Sequence, residues 1–332
     1  MPADFLPTAS WDRLRLRAAL LAKLRGFFDA REFLEVETPL LSADIVVDRH
    51  LDPFVTLLAP NPCQPDHGRR MYLQTSPEFG MKRLLAAPTD DAAGPPAIYQ
   101  VTRSFRNGEA GRLHNPEFTI AEWYQPGASY IQAMQFASDL CDCLLTLGPA
   151  DRLSYGEAFE AFVGLSPHGA NPFELAAAAE THGLTPPPGL LLDDRDGWLQ
   201  WLLGELVEPL LGESRPLILY DYPASQSALA IVRNDSPPVA ERFEVYLRGI
   251  ELINGYHELL DADELRDRHA RHNVNRAADG KPPLPETSRL LSAMDSGLPA
   301  CCGAALGFDR LVMLAAGAES LAEVVAFPSD RA

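Results

Sequence analysis

The segment SFRNGEAGRLHNPEFTIAEWY, residues 104–124, combines side chains of the kinds that bind phosphates and amines. If it folds as two strands around a polar loop, alternate residues share one face of the sheet. That face would carry a cation, an aromatic ring, an acid and a phenol: Arg106, Phe118, Glu122 and Tyr124. An arginine fork is suited to a phosphate, and an aromatic face stacks on a base. The pattern indicates a nucleotide and amine site, although a solvated hairpin with a weak arginine–glutamate pair would explain the same residues.

A second pattern, GIELINGYHEL, contributes two acids seven residues apart, Glu251 and Glu258. Carboxylate oxygens are the hard ligands that Mg²⁺ accepts beside substrate phosphates. Strict alternation along a strand would place residues at this spacing on opposite faces. We expect a bulge at Asn254-Gly255 to correct the register, because a glycine in a strand often marks one. The alternative is two unrelated surface acids, which the spacing alone favours.

Two shorter patterns are compatible with the same kind of site. In ALGFDRLVML, Gly307 would let the backbone approach a ligand, and Arg310 falls near a helix N-terminus, where anions are favoured. In TSPEF, the Ser76 hydroxyl and the Glu78 carboxylate, on either side of Pro77, could hold an ammonium group. Plainer interpretations are a strand–helix turn with an arginine–aspartate contact and an ordinary helix cap.

The elements that must position these residues follow from periodicity and turn residues. A helix capped by Ser10 is predicted to continue to Phe28. The next segment, FLEVETPLL, is predicted to be a strand that buries Leu34 and Val36 and stops at Pro39. Later elements are a strand leading to a helix near Glu78, the two strands of the opening segment, a mainly helical segment over residues 129–210, a hairpin turning at Arg248-Gly249, a charged helix ending at Gly280, and a glycine-rich strand feeding a helix that stops near Gly317.

Composition limits the classes of function. The 332-residue chain has 28 basic and 46 acidic residues, and a formal net charge of −18. Because nucleic-acid binding depends on basic residues that neutralise phosphates, a protein that mainly grips RNA is disfavoured. The sequence has neither an apolar run of about 18 residues nor a secretory leader, so we expect a cytoplasmic protein. Five cysteines, an odd number without CxxC spacing, predict unpaired thiols.

The order of these patterns is more specific than any one of them. A helix–strand–proline element, the pair FRN and HNPEFT, the strand ELINGYHE and the strand–helix GFDRLVML resemble the signature motifs of class II aminoacyl-tRNA synthetases, in particular the lysyl branch. The resemblance implies an α/β (α+β) fold with an antiparallel sheet of six or seven strands flanked by helices. It also implies a single catalytic domain over residues 1–332 and a homodimer built through the first motif.

Lysyl-tRNA synthetases carry an anticodon-binding domain ahead of this core, whereas here the first motif begins at about residue 10. The chain is therefore similar to the truncated paralogues that activate (R)-β-lysine and transfer it to a lysine of elongation factor P. Segments such as PASQSALA and RLHNPEFT fit these paralogues better than tRNA-charging enzymes. The resemblance thus implies ATP and Mg²⁺ as cofactors, and β-lysine or lysine with elongation factor P, rather than tRNA, as partners.

The resemblance also implies roles for matching positions. Arg106 and Arg310 would be catalytic, holding the α- and γ-phosphate regions of ATP. The nucleotide would be bound by Arg106, Asn107, Gly108, Asn115, Phe118, Glu251, Leu252, Gly307 and Arg310. Mg²⁺ would be held by Glu251 and Glu258. The amino acid would be bound by Ser76, Pro77, Glu78, Glu122, Tyr124 and Glu258.

Two positions depart from the pattern of lysyl-tRNA synthetases. Those enzymes read FRNEG, whereas this chain has Gly108 followed by Glu109, which could replace the missing acid by a one-residue slide. Ala305 stands where tRNA-charging enzymes usually have glycine, and its methyl group would alter the pocket in a way consistent with a β-amino substrate. Two rival functions stay open: a truncated synthetase that still charges tRNA, and a non-catalytic paralogue that senses an amino acid.

Overall fold

The computed structural model describes residues 5–92 and 94–332. The chain divides into two compact units, Met1–Ala128 with Leu259–Ala332, and Ser129–Glu258. The second unit is thus inserted in the chain of the first and has a hydrophobic core of its own, which includes Phe159, Trp198 and Leu219. The single catalytic domain expected from the resemblance stays a prediction.

Runs of strands and runs of helices follow one another along the chain. Before residue 129 they are α1 (Trp11–Asp29), β1 (Leu34–Glu35), β2 (Leu41–Ser42), β3 (Val55–Leu58), β4 (Arg69–Leu73), α2 (Glu78–Leu85), β5 (Ile98–Phe105) and β6 (Glu117–Pro126). The second unit contains α3 (Tyr130–Leu145), β7 (Asp151–Ser154), α4 (Tyr155–Phe162), α5 (Pro172–Thr181), α6 (Arg195–Leu202), β8 (Leu217–Pro223), β9 (Val232–Arg233), β10 (Val239–Leu247) and β11 (Ile250–His257). The first unit ends with α7 (Ala262–Ala278), α8 (Arg289–Gly297), β12 (Cys301–Gly307) and α9 (Phe308–Ala315).

The main sheet of the first unit has the order β1-β5-β6-β12. Its register confirms the face predicted for the opening segment, because Ser104 lies opposite Phe118 and Gln100 lies opposite Glu122. On the other side of β6, Ala305 of β12 also lies opposite Glu122. Directly opposed residues in a sheet point to the same face, so the side chains around Glu122 come from three strands.

The first helix and strand correct one prediction. Ser10 caps α1 as expected, since its side chain accepts a hydrogen bond from the Arg13 amide. The strand β1, however, spans two residues, and Leu34 is 54% exposed instead of buried. Phe33 takes the inward position, and its ring packs edge-on against Phe28 with the centroids 5.3 Å apart. Val36 is half-buried between the exposed Glu35 and Glu37, so the predicted alternation fails at Leu34 alone, where the ring of the preceding Phe33 takes the packed position.

The sheet of the second unit is formed by β7, β8, β10 and β11, with β9 paired to β10. The predicted hairpin is present: β10 and β11 are antiparallel, and both Arg248 (φ 52°) and Gly249 (φ 71°) have the left-handed backbone of a tight hairpin turn. The segment 129–210 is mainly helical as predicted, but the short strand β7 interrupts it.

The class of fold agrees with the prediction, but the details of the sheet differ. Among the described residues, the main sheet of the first unit has four strands and the sheet of the second unit has five. The sum is larger than the six or seven strands expected. The pairs β1–β5 and β7–β8 are parallel, so the sheets are mixed rather than antiparallel throughout. No disulfide joins any of the five cysteines, as predicted. Within the described residues, no helix is long and apolar enough to cross a membrane.

A buried arginine supports the loop that carries Arg106. The side chain of Arg276, on α7, is only 1% exposed, and it donates hydrogen bonds to three backbone carbonyls and to the Asp52 carboxylate. The backbone carbonyl of Asp52 in turn accepts a 2.7 Å hydrogen bond from the amide of Asn107. A guanidinium that satisfies several buried acceptors is costly to remove, so this contact fixes the strand-to-loop junction before Gly108.

Candidate active site

A buried carboxylate forms the centre of the first group of residues. Glu122 lies in β6 and is 3% exposed. Its two carboxylate oxygens accept hydrogen bonds of 2.7 Å from the Ser76 hydroxyl and from the Tyr124 hydroxyl. Ser76 lies just before α2 and also accepts a hydrogen bond from the Glu78 amide at 3.1 Å. The structure therefore brings together four of the six residues predicted to bind the amino acid, and the fifth, Pro77, is the N-cap of α2.

A residue that the sequence analysis missed completes this group. Lys82 is 1% exposed, and its Nζ donates a 2.6 Å hydrogen bond to Glu78 Oε1, one helical turn earlier on α2. The same Nζ lies 5.8 Å from the centroid of the Tyr124 ring. The spacing of four residues between Glu78 and Lys82 was a detectable signal, because such pairs face each other on a helix. We call Ser76, Glu78, Lys82, Glu122 and Tyr124 the acid cluster.

The acid cluster shifts the protonation of Glu122. The pKa of Glu122 is raised to about 7, first by burial and then by the neighbouring Glu78 carboxylate. The hydrogen bonds from Tyr124 and Ser76 and the positive charge of Lys82 act in the opposite direction. Desolvation is the dominant cause, since a buried carboxylate loses the water that stabilises its charge. At neutral pH the carboxyl group of Glu122 is therefore partly protonated, and a bound cation would favour its ionised form.

Arg106 and Phe118 lie beside each other on the face predicted for them. The Arg106 guanidinium lies over the Phe118 ring, with Cζ 5.0 Å from the centroid. Glu109 approaches the same guanidinium, with a distance of 3.8 Å between Glu109 Oε2 and Arg106 Nη1. A planar cation beside an aromatic face is suited to a phosphate and a base of one nucleotide, so this pair agrees with the predicted chemistry.

The loop after Arg106 explains the unusual glycine. Gly108 has φ 86°, a backbone conformation that residues with a side chain rarely adopt, while a Cβ built there would meet nothing within 4 Å. Lysyl-tRNA synthetases have a glutamate at this position of the pattern. Here the positive φ, and not a lack of space for a side chain, favours glycine. Glu109 does bring its carboxylate to Arg106, as a one-residue slide requires, but its predicted part in binding adenine stays a prediction.

The second arginine lies at the start of α9, as predicted. Arg310 Nη2 lies 2.7 Å from Nε2 of His114, and Arg310 Nε donates to the Leu113 carbonyl at 3.3 Å. Burial lowers the pKa of His114, and the charges of Arg310 and Arg106 lower it further, against the opposite effect of Glu109. His114 is therefore a neutral acceptor for the Arg310 guanidinium, and both arginines lie close enough to influence it. No sequence pattern pointed to this histidine.

Neighbouring contacts hold the strand–helix turn that carries Arg310. Gly307 lies opposite Ile120 in the β6–β12 pairing. Asp309 is buried, accepts a 2.9 Å hydrogen bond from the Thr119 amide, and forms a 2.6 Å ion pair with Arg17 of α1. These contacts hold the first turn of α9 against β6. The arginine–aspartate contact of the plainer interpretation therefore exists, but its arginine is Arg17 of α1.

The amide of Asn115 is engaged at both ends by backbone groups. Its Oδ1 accepts a 2.9 Å hydrogen bond from the Ser329 amide, and its Nδ2 donates to the Glu117 carbonyl at 2.5 Å. The C-terminal segment therefore holds the loop between β5 and β6. The contact of Asn115 with the nucleotide stays a prediction. The contact of Asn107 also stays a prediction; its backbone N–H donates to the Asp52 carbonyl.

The predicted acids of the second unit lie along and just beyond β11. The β10–β11 register shifts between Ile253 and Glu251, because Val245 pairs with Ile253 and Tyr246 with Glu251. The extra residue is Leu252, so the predicted bulge exists, but its predicted position at Asn254-Gly255 was wrong. The physical reason is that the hairpin turn fixes the register from the other end. One extra residue restores even spacing between Glu251 and Glu258, so alternation continued one residue past β11 predicts both side chains on one face.

Glu258 and one further acid of this unit are buried. Glu258 is 1% exposed, and its backbone forms an isolated bridge with Ala230. Glu244 of β10, which the sequence analysis missed, is 5% exposed and accepts hydrogen bonds from two tyrosines, an arginine and Asn254. An acid inside the apolar strand VAERFEVYL was the available signal. Hard carboxylate oxygens on one strand face fit Mg²⁺ as donors, although no cluster of three or more metal-binding side chains occurs among the described residues.

Mixed sheets flanked by helices, with arginines near the strand ends and buried acids in the strands, agree with the fold and site that the sequence patterns predict. The chain matches the family of class II tRNA synthetases (D, K and N) over residues 4–331, and it belongs to that family. Curated relatives named elongation factor P–(R)-beta-lysine ligase, from Salmonella paratyphi B, Salmonella schwarzengrund and Salmonella paratyphi C, are each 47% identical to it over 331 residues. The matches cover 99% of this chain and 99% of each relative. The resemblance inferred from the sequence is thus confirmed.

Proposed function

We propose that this protein activates (R)-β-lysine with ATP, as an acyl-adenylate, and transfers the β-lysyl group to a lysine side chain of elongation factor P. The observation that carries this proposal is the similarity over 99% of both chains to ligases of that name. The acid cluster supports it, because two buried carboxylates beside a tyrosine suit an amino acid with extra positive charge. We further propose that it works in the cytoplasm.

The residues divide between two substrates. For ATP and Mg²⁺ we propose Arg106, Asn107, Gly108, Asn115, Phe118, Glu251, Leu252, Gly307 and Arg310, with Glu251 and Glu258 as the metal ligands. For the amino acid we propose Ser76, Pro77, Glu78, Glu122, Tyr124 and Glu258. Arg106 and Arg310 carry the catalytic role, since guanidinium groups stabilise charge that develops on phosphates.

The proposed reaction needs no nucleophile from the protein. A carboxylate oxygen of β-lysine attacks the α-phosphorus of ATP, and the bond to the leaving pyrophosphate breaks as the new P–O bond forms. Arg106 and Arg310 hold the phosphates in line, so positioning and electrostatics provide the catalysis. Mg²⁺, when bound, would supply further positive charge to the phosphates. In the second step a neutral lysine amine of the acceptor attacks the carbonyl carbon, AMP leaves, and the amine loses a proton.

We also propose a homodimer formed through the first motif. Three apolar side chains in or near α1, β1 and β2 are exposed in the single chain: Trp11 (72%), Leu34 (54%) and Leu41 (37%). Exposed apolar side chains on the elements of the first motif suit an interface between copies of a chain. Equilibrium sedimentation of the purified protein tests this, with a mass of one chain as the contradicting result.

One experiment tests the function. ATP–pyrophosphate exchange is measured with (R)-β-lysine and with α-lysine, and the mass of elongation factor P is measured after incubation with the protein, ATP and each amino acid. The proposal expects exchange with a preference for β-lysine, and a mass increase of one β-lysyl group. Charging of total tRNA without modification of elongation factor P would support a truncated synthetase instead. Absence of exchange with every lysine isomer would support an amino-acid sensor.

Ala305→Gly is expected to weaken the preference for β-lysine over α-lysine about tenfold or more. Ala305 lies opposite Glu122, so its methyl group faces the acid cluster, and one methyl in a pocket changes selectivity by about 10–200-fold. The measurement is the ratio of kcat/KM for the two amino acids in pyrophosphate exchange. Ala304→Gly is the matched control, because Ala304 lies opposite Trp123 and alternation turns it to the other face. Equal ratios in the wild type and Ala305→Gly would exclude this role.

A further inference from the structure

Lys82 is a buried cation that neither the sequence patterns nor the proposed reaction uses. Its side chain is 2% exposed, and the Glu78 carboxylate paired with it is 9% exposed. Burying an ion pair costs desolvation energy, so such a pair is weak evidence for stability by itself. Its position beside Glu122 and Tyr124 suggests a role in the charge balance of the acid cluster.

The groups that face Glu122 come from α2, from the loop before it and from β6 with its neighbouring strands. From α2 come the charges of Glu78 and Lys82, and from the preceding loop the Ser76 hydroxyl. From β6 comes the Tyr124 hydroxyl. The residues opposite Glu122 in the neighbouring strands, Gln100 and Ala305, carry no charge. The described surroundings thus contain two carboxylates and one cation, and a bound ammonium group would be the second cation.

We propose that Lys82 is a positioning residue of the amino-acid site: it neutralises Glu78 and thereby leaves Glu122 to receive the substrate's amino group, with loss of a proton from Glu122 on binding. This inference rests on the proposed function. Lys82 donates to Glu78 Oε1, whereas the hydrogen bonds to the Glu122 carboxylate come from the uncharged hydroxyl groups of Ser76 and Tyr124. An ammonium group that approaches it favours the charged form and displaces the proton to solvent.

The proton balance fixes the expected pH dependence. In the free protein the pKa of Glu122 is raised to about 7, so Glu122 is largely protonated below that pH and largely ionised above it. A bound ammonium group lowers the pKa of Glu122. The substrate's own amines, with pKa values of about 10, stay largely protonated over the same pH range. Binding at pH 7 should therefore release about half a proton, rising toward one proton near pH 6 and falling toward none above pH 8. The KM for the amino acid should fall as pH rises through 7 and then level off.

Calorimetry measures the released proton directly. β-lysine is titrated into the full-length protein in two buffers of different ionisation enthalpy, at pH 6, 7 and 8.5, and the difference in apparent binding enthalpy gives the number of protons. The wild-type protein alone provides this test, so it does not depend on the folding of any variant. Release that follows the predicted pH dependence is the expected result. Binding without proton release at pH 7 would overturn the inference.

Variants of Lys82 test the positioning role. In Lys82→Met, the unpaired Glu78 should hold the proton on Glu122 more tightly, so the pH at which the KM levels off should rise. The KM for β-lysine should increase about tenfold, while the KM for ATP stays within twofold, a division that a general loss of folding would not produce. Lys82→Arg should restore most of the affinity. Lys23→Met, on the exposed surface of α1, is the matched control.

The failures of the two proposals can be told apart. If no lysine isomer binds or supports pyrophosphate exchange at any pH, the proposed function is wrong. If β-lysine binds and exchange occurs, but the KM values of Lys82→Met and Lys23→Met agree at every pH, only the role of Lys82 is wrong.

Discussion

Replacing Arg310 with methionine is expected to lower the rate of ATP–pyrophosphate exchange about 10³-fold, because loss of one preorganised group that stabilises transition-state charge costs about 10²–10³ in rate. Arg310 lies in the first turn of α9 and is oriented by the Leu113 carbonyl and by His114. Methionine keeps the apolar stem and removes the charge. The measurement is kcat for exchange at saturating β-lysine and ATP.

A second readout of Arg310→Met does not require activity. The positive charge of Arg310 lowers the pKa of His114, after burial itself. Removal of that charge should raise this pKa toward its ordinary value, which a histidine NMR titration measures. Arg15→Met is the matched control, since the Arg15 side chain is 73% exposed and pairs with Asp12 on the surface of α1. An Arg310→Met protein with more than a tenth of the wild-type rate would contradict the catalytic role.

Replacing Glu251 with glutamine is expected to lower the exchange rate about 10²-fold at low Mg²⁺ and to raise the Mg²⁺ concentration for half-maximal activity about tenfold. Glutamine preserves the size of the side chain but removes the negative charge that a hard divalent cation requires. Leu252 is the extra residue of the bulge, and alternation continued past the end of β11 is expected to turn Glu258 to the face of Glu251, so one cation is expected to depend on both. The measurement is exchange activity as a function of Mg²⁺ concentration.

Glu258→Gln separates the two roles proposed for Glu258. A shift in Mg²⁺ dependence would assign it to the metal, whereas a higher KM for β-lysine at unchanged Mg²⁺ dependence would assign it to the amino acid alone. Glu205→Gln is the matched control, because Glu205 is an exposed acid in the π-helical segment Leu203–Val207 that follows α6 in the same unit. If Glu251→Gln shows the Mg²⁺ dependence of Glu205→Gln, the metal assignment of Glu251 is wrong.

Much of the local structure was predictable because short-range rules dominate it. The cap at Ser10, the start of α2 near Glu78 and the hairpin turn at Arg248-Gly249 depend on neighbouring residues alone. The face shared by Phe118 and Glu122 followed from alternation in a long strand. In contrast, Leu34 is exposed although alternation predicted it buried, because the strand is only two residues long and buries neither of its side chains.

The sequence by itself determined the family, since the signature residues and their order do not depend on coordinates, and it determined which acids and arginines are chemically suited to ATP and an amine. Only the tertiary structure decided which groups face each other. Lys82 neutralises Glu78, His114 accepts from Arg310, and Glu122 is buried enough to change its pKa. The reason is that charge and protonation depend on burial and on distances through space, and these are set by packing between elements remote along the chain.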